Sequence, residues 1–591
     1  MRRFADRFTF TFDVPPDALW HAVSDTRAIE RDAGLPPVRY TCEPAAGGPA
    51  TMVAHARFGP LALEWEEPPF TWEAPHRVAA ERRFRRGPFA RFASDVRVVA
   101  DGDGARIELD VELDADGAVG ALLAPAMLAR FRGGAARAYA LAAQRAREQG
   151  TLPAGGIARV ARFVDSLEAL RPHTEHEPAI AARLAALVEH GDDETVARMR
   201  PYALADAWQL PRDRVLGAML AATRRGLLDL SWTLICPNCR GQKNSVATLA
   251  RVGGCVHCDA CGVAYSPEFD RTVELTFDAR PSGRSETPAV YCMGDPHIAR
   301  QTLAQISVPP GGDGSLLAGL RTGAYVVQAL PDRVARFTVE DDAGASVLGV
   351  RVEDDGIRAA TSVVQSGAVR VRIENASTRA AVVRITEAEL TDQIATAADV
   401  TALQAFRDLF SSEVLAPGTD FAIRALTVVF TDVAGSTMMY AESGDAHAFR
   451  LVREHFDGVR DVVALHRGAV VKTMGDSVMA VFADSRDAVE AAREFAAAAA
   501  PLELRTGLHR GPCIAMRAND RLDYVGATVN VAARVAHAAS AGEILITAAV
   551  ADDARVAEVL PDGERGTVAL RGITSPVEVV LIRAPATGVP E

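Results

Sequence analysis

Three stretches in the last third of this 591-residue chain carry side chains whose type and spacing could do chemistry. The first is an apolar, β-rich run, Leu426 to Thr431, that ends in Asp432 and continues through Val433-Ala434-Gly435-Ser436-Thr437 into a helical pattern. A carboxylate at a strand end, just before a helix start, can hold a metal ion beside backbone amides that favour phosphate oxygens. Taken alone, Asp432 could equally well order a turn. The second stretch, His466 to Phe482, reads as two short strands around a Gly475-Asp476 turn and puts Asp476 at a hairpin tip. Two carboxylates from separate strand ends are what a pair of Mg²⁺ or Mn²⁺ ions needs while the ions also bind substrate phosphates. The same hairpin carries Lys472. Only Lys243 and Lys472 are lysines among 64 basic residues, so a lysine after two valines marks a place that uses a compact, rotatable donor where arginine is the default. In the third stretch, Arg521 to Arg534, Asn530 and Arg534 lie four apart on a helical run. That spacing puts an amide and a guanidinium on one face, either as surface decoration or aimed at a sugar and a phosphoryl group.

A different chemistry stands upstream. Cys236-Pro237-Asn238-Cys239 is followed, after eighteen residues, by Cys258-Asp259-Ala260-Cys261. Two such knuckles present four thiolates to one tetrahedral Zn²⁺, and a closed set of this kind is structural. Cys255 and His257 crowd the second knuckle, and Cys255 in place of Cys258 or Cys261 is the competing assignment. Five of the eight cysteines fall in this short region, which suits a metal site in a reducing compartment better than a disulfide framework.

These groups need several domains to hold them. The length exceeds one hydrophobic core, and 49% hydrophobic with 24% charged residues is an ordinary globular balance. The longest apolar window, Gly117 to Met127, falls short of the roughly 18 residues of a membrane helix. Met1 to Phe12 lacks the apolar core of a signal peptide, so a cytoplasmic protein without a membrane span is expected. A net charge of −13 disfavours nucleic acid as a partner.

The three C-terminal stretches, in this order, resemble the class III nucleotidyl cyclases over Leu426 to about Ile582. The resemblance implies that Asp432 and Asp476 hold two Mg²⁺ or Mn²⁺ ions, that Lys472 and Asp523 read adenine, and that Asn530 and Arg534 stabilise the transition state. It also matches Arg505, in Leu504-Arg505-Thr506-Gly507, to an arginine that contacts the triphosphate. Arg571 stands near a further basic position of the family, but that role is not carried over. Guanylyl cyclases commonly have Glu and Cys at the purine-reading positions, so the lysine and aspartate imply ATP as substrate and adenylate cyclase, a phosphorus–oxygen lyase, as the activity. A head-to-tail homodimer with two sites is implied as well. The alternatives are a nucleotide-binding scaffold of low turnover and a guanylate cyclase.

The first residues, strand-rich and closed by a long Ala/Arg helix from Ala118 to Arg147, resemble the START-like helix-grip domains of the polyketide cyclase and lipid-transport superfamily. Such a domain could hold an apolar small molecule or simply pack closed. The region with the ribbon and Phe406 to Ala416 resembles the regulatory segment ahead of some bacterial soluble cyclases. The expected fold is therefore multidomain α+β: a START-like domain (1–148), a helical and conceivably winged-helix-like domain (155–232), a zinc ribbon (233–271), a β-sandwich-like domain (272–392), a connector helix (397–418) and a ferredoxin-like cyclase domain (425–584).

Overall fold

The computed structural model describes residues 1–43, 51–59, 61–148, 177–190, 196–237, 242–258, 263–279, 296, 302–330, 333–341, 344–388, 394–560, 563–573 and 575–583. Residues 155–176 of the expected helical domain, and Cys239 and Cys261, lie outside them.

The N-terminal unit is an antiparallel sheet curled around one helix, Gly117–Glu148. Ala124, Leu128, Ala135, Tyr139, Ala142 and Ala146 recur at helical spacing along its inner face and share a core with Phe8, Trp72 and Ile107 of the sheet and Trp20 of the short helix Pro16–Val23. Its longer strands include Arg77–Arg86, Phe89–Asp101 and Gly104–Ala115.

This sheet does not stop at the domain boundary. Strand Thr71–Glu73 pairs antiparallel with Thr302–Val308, the first strand of the β-sandwich, and the ladder continues to make one sheet of 13 strands. The joint is buried and hydrogen-bonded: Gln305 Nε2 donates to the Phe70 carbonyl at 2.6 Å, and Arg384 Nε donates to Gln305 Oε1 at 2.5 Å. The sandwich itself shows the expected alternation, with Val369, Val371 and Ile373 of Gly367–Asn375 turned into its core.

Two of the expected boundaries move. Strand Val273–Asp278, expected in the β-sandwich, pairs with Asp229–Ile235, which also pairs with Gln242–Val246 in a separate three-stranded sheet. Val273 to Phe277 are all buried, the polar Glu274 and Thr276 included, so the apolar–polar alternation of the strand does not tell which sheet it joins. The connector is not one helix. It breaks into α1 (Ala397–Thr401) and α2 (Gln404–Leu409), and residues 411 to 418 are not helical. A capping box of Thr396 and Asp399 starts α1. Leu403 then turns extended, which frees the Gln404 N–H to donate to the Gly468 carbonyl at 2.8 Å. A tertiary hydrogen bond has replaced a helical one.

The C-terminal domain is a sheet in the order β2-β3-β1-β4-β6-β8-β7, with β5 paired to the far part of β4. The strands are β1 (Asp420–Val433), β2 (Ala469–Met474), β3 (Ser477–Phe482), β4 (Leu504–Ala518), β5 (Arg521–Val525), β6 (Glu543–Thr547), β7 (Glu564–Val568) and β8 (Val577–Arg583). Helices α3 (Ser436–Ser443) and α4 (Asp445–Leu465) follow β1, α5 (Ser485–Ala498) follows β3, and α6 (Ala527–Ala538) follows β5. Period-two alternation divides β1 cleanly. Val429 and Val433 pack with Val459 and Val463 of α4 and Phe495 of α5. Leu426, Val428 and Phe430 pack on the opposite face with Ala532 and Ala536 of α6. That second core runs on into Trp232, Phe269 and Phe277 of the middle region, so catalytic domain and middle region share one apolar interior. Phe269 stacks on Phe421 with ring centroids 4.8 Å apart.

Candidate active site

The alternation of β1 decides where Asp432 goes. It continues the Leu426, Val428, Phe430 series and so faces the side that carries α6. Arg505 of β4 is its direct cross-strand partner, and Ser477, the first residue of β3, donates its hydroxyl to Asp432 Oδ1 at 2.7 Å. Asp476 precedes Ser477 in a two-residue hairpin whose first turn residue, Gly475, has φ +64°, a conformation glycine adopts at no steric cost. The two carboxylates therefore meet at one end of the sheet through Ser477.

The donor set fits a pair of hard cations. Asp476 Oδ2 is buried with no hydrogen-bond partner, and among the described residues neither aspartate is engaged in an ion pair. Arg505 Nε is also buried and unpartnered. A buried unsatisfied acceptor and a buried unsatisfied cationic donor at one end of the sheet are costly unless something polar enters. A metal-bound polyphosphate would complete both.

A residue that sequence reading missed sits behind this corner. His455, on the inner face of α4, is 2% exposed, and neither ring nitrogen has a partner. Burial pushes its pKa down to about 4, while the nearby Asp476 carboxylate pulls the other way. The helical spacing Val452, His455, Val459 could have marked it as inward-facing.

Lys472 reaches its partner by way of an irregularity. The register of β2 against β3 slips between Val470 and Lys472, so that Val471 is an extra residue and Lys472 lies opposite Met479. Met479 belongs to the α6 side of the sheet. Without the bulge Lys472 would point to the other face. From this position its Nζ donates to Asp523 Oδ2 at 2.6 Å, while Asp523 Oδ1 accepts from the Tyr524 N–H at 2.8 Å. A donor and an acceptor are thus held side by side.

Helix α6 presents Asn530, exposed, and Arg534, partly buried, four residues apart as expected. Its close approach depends on Gly507 of β4, where a Cβ would come within 2.1 Å of the Ala536 nitrogen. The Arg534 guanidinium lies against Gly572, 3.1 Å from where a Cβ would stand. Among the described residues Arg571 makes no hydrogen bond or ion pair with these groups.

At the ribbon, Cys236 and Cys258 are both fully buried in one small cluster with Leu330 and Val382, each beside the turn of its hairpin. Cys255 is exposed. Among the described residues no group of three or more His, Cys, Asp or Glu side chains is placed to hold a metal. The N-terminal unit encloses a cavity of about 90 Å³ between sheet and helix, lined by Val78, Phe92, Leu109, Phe131 and Tyr139 with Glu30 and Arg82 at one side.

Parts of the chain match known protein families. Residues 422–583 match the family described as "Adenylate and Guanylate cyclase catalytic domain", residues 7–147 match "Polyketide cyclase / dehydrase and lipid transport", and residues 164–288 match a family of unknown function. The chain thus carries a C-terminal catalytic domain of the adenylate and guanylate cyclase family and an N-terminal START-like domain. Among individual relatives, it is 34% identical over 155 residues to an uncharacterized protein of Mycobacterium tuberculosis, covering 25% of this chain and 38% of that protein. It is 30% identical over 209 residues to a receptor-type adenylate cyclase of Trypanosoma congolense, covering 27% and 28%. A solved adenylyl cyclase of P. aeruginosa is 25% identical, covering 28% of this chain and 98% of that one, with a TM-score of 0.25. The chain spans about 38% or less of the length of these curated relatives. No helix among the described residues is long and apolar enough to cross a membrane.

Proposed function

We propose that the C-terminal domain converts ATP to 3′,5′-cyclic AMP and pyrophosphate, as a homodimer in the cytoplasm, under the control of the N-terminal domains. The observation that carries the choice of ATP is the Lys472–Asp523 pair, with Nζ and Oδ2 2.6 Å apart. The adenine edge offers an acceptor at N1 beside a donor at N6, which a fixed ammonium and carboxylate complement when they are spaced for that edge and not for the O6 and N1–H of guanine.

Asp432 and Asp476 would hold two Mg²⁺ or Mn²⁺ ions, which when bound lower the pKa of the ribose 3′-hydroxyl and neutralise phosphate charge. Arg505, beside them and without an acid partner, would take the β- and γ-phosphates and stabilise the departing pyrophosphate. Asn530 would orient the ribose, and Arg534 would meet the charge that develops on the α-phosphoryl group. The dimer is supported by an uncovered surface: α3 has no buried residue, and Met438 on it and Phe449 on α4 are 62% and 63% exposed.

A structural Zn²⁺ on Cys236, Cys239, Cys258 and Cys261 is supported by the burial of Cys236 with Cys258 while Cys255 points to solvent. A small, mostly apolar ligand in the START-like domain requires that its cavity widen, since pockets for such molecules run to about 300 Å³ or more.

The test is product formation by the purified chain with ATP or GTP and Mn²⁺ or Mg²⁺. Cyclic AMP that disappears in Asp432→Ala is expected. Cyclic GTP-derived product of equal or greater yield would replace adenylate with guanylate cyclase, and no product from a folded dimer would leave a nucleotide-binding scaffold.

A further inference from the structure

The two residues that would read the purine come from strands that are not neighbours in the sheet. Lys472 is on edge strand β2, and Asp523 is on β5 at the far part of β4. Within the sheet they are linked only through β3, β1 and β4, and the connector adds a direct bridge between them. Gln404, at the start of α2, takes hold of β2: its N–H donates to the Gly468 carbonyl at 2.8 Å, and its Oε1 accepts from the Val470 N–H at 2.8 Å, next to the bulge that aims Lys472. Arg407, one turn along, takes hold of β5: its Nη1 donates to the Leu522 carbonyl at 3.0 Å, and its guanidinium lies over the Tyr524 ring at 5.4 Å. Tyr524 in turn donates its hydroxyl to Thr401 Oγ1 of α1 at 2.9 Å, with both residues fully buried. Leu522 and Tyr524 flank Asp523 directly.

Two short helices therefore link the backbone just before Lys472 to the two neighbours of Asp523. The far side of the same connector is anchored elsewhere. Glu413 Oε2 accepts from the Leu249 N–H at 2.9 Å and from Trp232 Nε1 at 3.3 Å, both in the middle region, and Trp232 packs edge-on against Phe406 at 5.8 Å.

We propose that Thr401, Gln404 and Arg407 are positioning residues that set the spacing of Lys472 and Asp523 and thereby the choice of purine, and that the middle region acts on the catalytic domain through them. The inference rests on the cyclase reading above. The chemistry makes spacing decisive. Adenine accepts at N1 and donates at N6, whereas guanine accepts at O6 and donates at N1, so an ammonium and a carboxylate can satisfy either base and only their placement separates the two. A shift of about an ångström at such a site is enough to cost substantial discrimination.

The experiment uses the full chain and compares kcat and KM for ATP and GTP in wild type, Arg407→Ala, Arg407→Lys and Tyr524→Phe, with Arg565→Ala as control. Arg565 pairs with Asp552 at the exposed β7 edge of the sheet, away from the connector. Arg407→Ala should lower the ATP-over-GTP ratio of kcat/KM about tenfold, mostly through KM for ATP. Arg407→Lys should recover part of that loss, and Arg565→Ala should leave the ratio unchanged. Tyr524→Phe removes only one hydroxyl, so it reports the same shift in smaller measure even if Arg407→Ala does not fold. An unchanged ratio in folded Arg407→Ala or Tyr524→Phe overturns the inference. If wild type forms no product, the cyclase reading has failed, and the same ratio is then read from equilibrium binding of 3′-deoxy-ATP and 3′-deoxy-GTP, where an unchanged preference in the variants again overturns it.

Discussion

His455 is the residue whose surroundings say most about pH. Its pKa falls from 6.5 to about 4 on burial, so the unfolded chain binds a proton in that window that the folded chain refuses. Stability is therefore full above pH 6.5 and falls as pH drops towards 4, by up to about 1.4 kcal/mol per pH unit. Thermal melting between those values should show this slope for wild type and a flatter one for His455→Leu. An equal slope in both would assign the acid sensitivity to other groups. The individual chemistry-bearing residues were largely legible from sequence because each stands at a local signal: Asp432 at a strand end, Asp476 in a Gly-Asp turn, Asn530 and Arg534 at helical spacing. His455 was not, since a histidine in an amphipathic helix shows nothing of the carboxylate that folds against it.

At the level of elements the readable and the unreadable parts separate by range. The β2–β3 hairpin and α6 follow from patterns within a few residues of themselves. The bulge at Val471 and the break at Leu403 do not, because both are made by partners distant in the chain: Gln404 satisfies the N–H next to the bulge, and Gly468 accepts the bond that breaks the helix. The contact between β4 and α6 is of the same kind. Gly507→Ala would drive a methyl group into the Ala536 backbone, and helix α6 with Asn530 and Arg534 would have to move away from Arg505. We expect a loss of about 1–3 kcal/mol in stability. Because those two residues act at the reacting centre, kcat should fall by about 10²-fold, more than KM rises. A variant with wild-type kcat would show that the fit of α6 on β4 does not matter to the chemistry.

Across the whole molecule, composition correctly suggested several domains but not how they are joined. The shared 13-stranded sheet ties the START-like domain to the sandwich, the Cys236–Cys258 cluster ties the sandwich to the ribbon, and one apolar interior ties the middle region to the catalytic domain. Boundaries drawn from local pattern miss such joints, as the strand Val273–Asp278 illustrates. The ribbon is the narrowest of them, so its metal should matter beyond its own fold. Elemental analysis is expected to give about one zinc per chain, lost in Cys236→Ser, with chelation lowering the melting temperature of the full chain; a zinc-free wild-type chain of equal stability would remove the ribbon assignment.

The Lys472–Asp523 contact has a practical side. Lys472 is about one-third exposed, at 35%, and shares with Lys243 alone the distinction of offering a side-chain amine. An amine-reactive adenosine analogue would find almost no competing targets on this surface, so the purine pocket comes with its own labelling handle, and protection of a single modified peptide by ATP would report occupancy without any engineered tag.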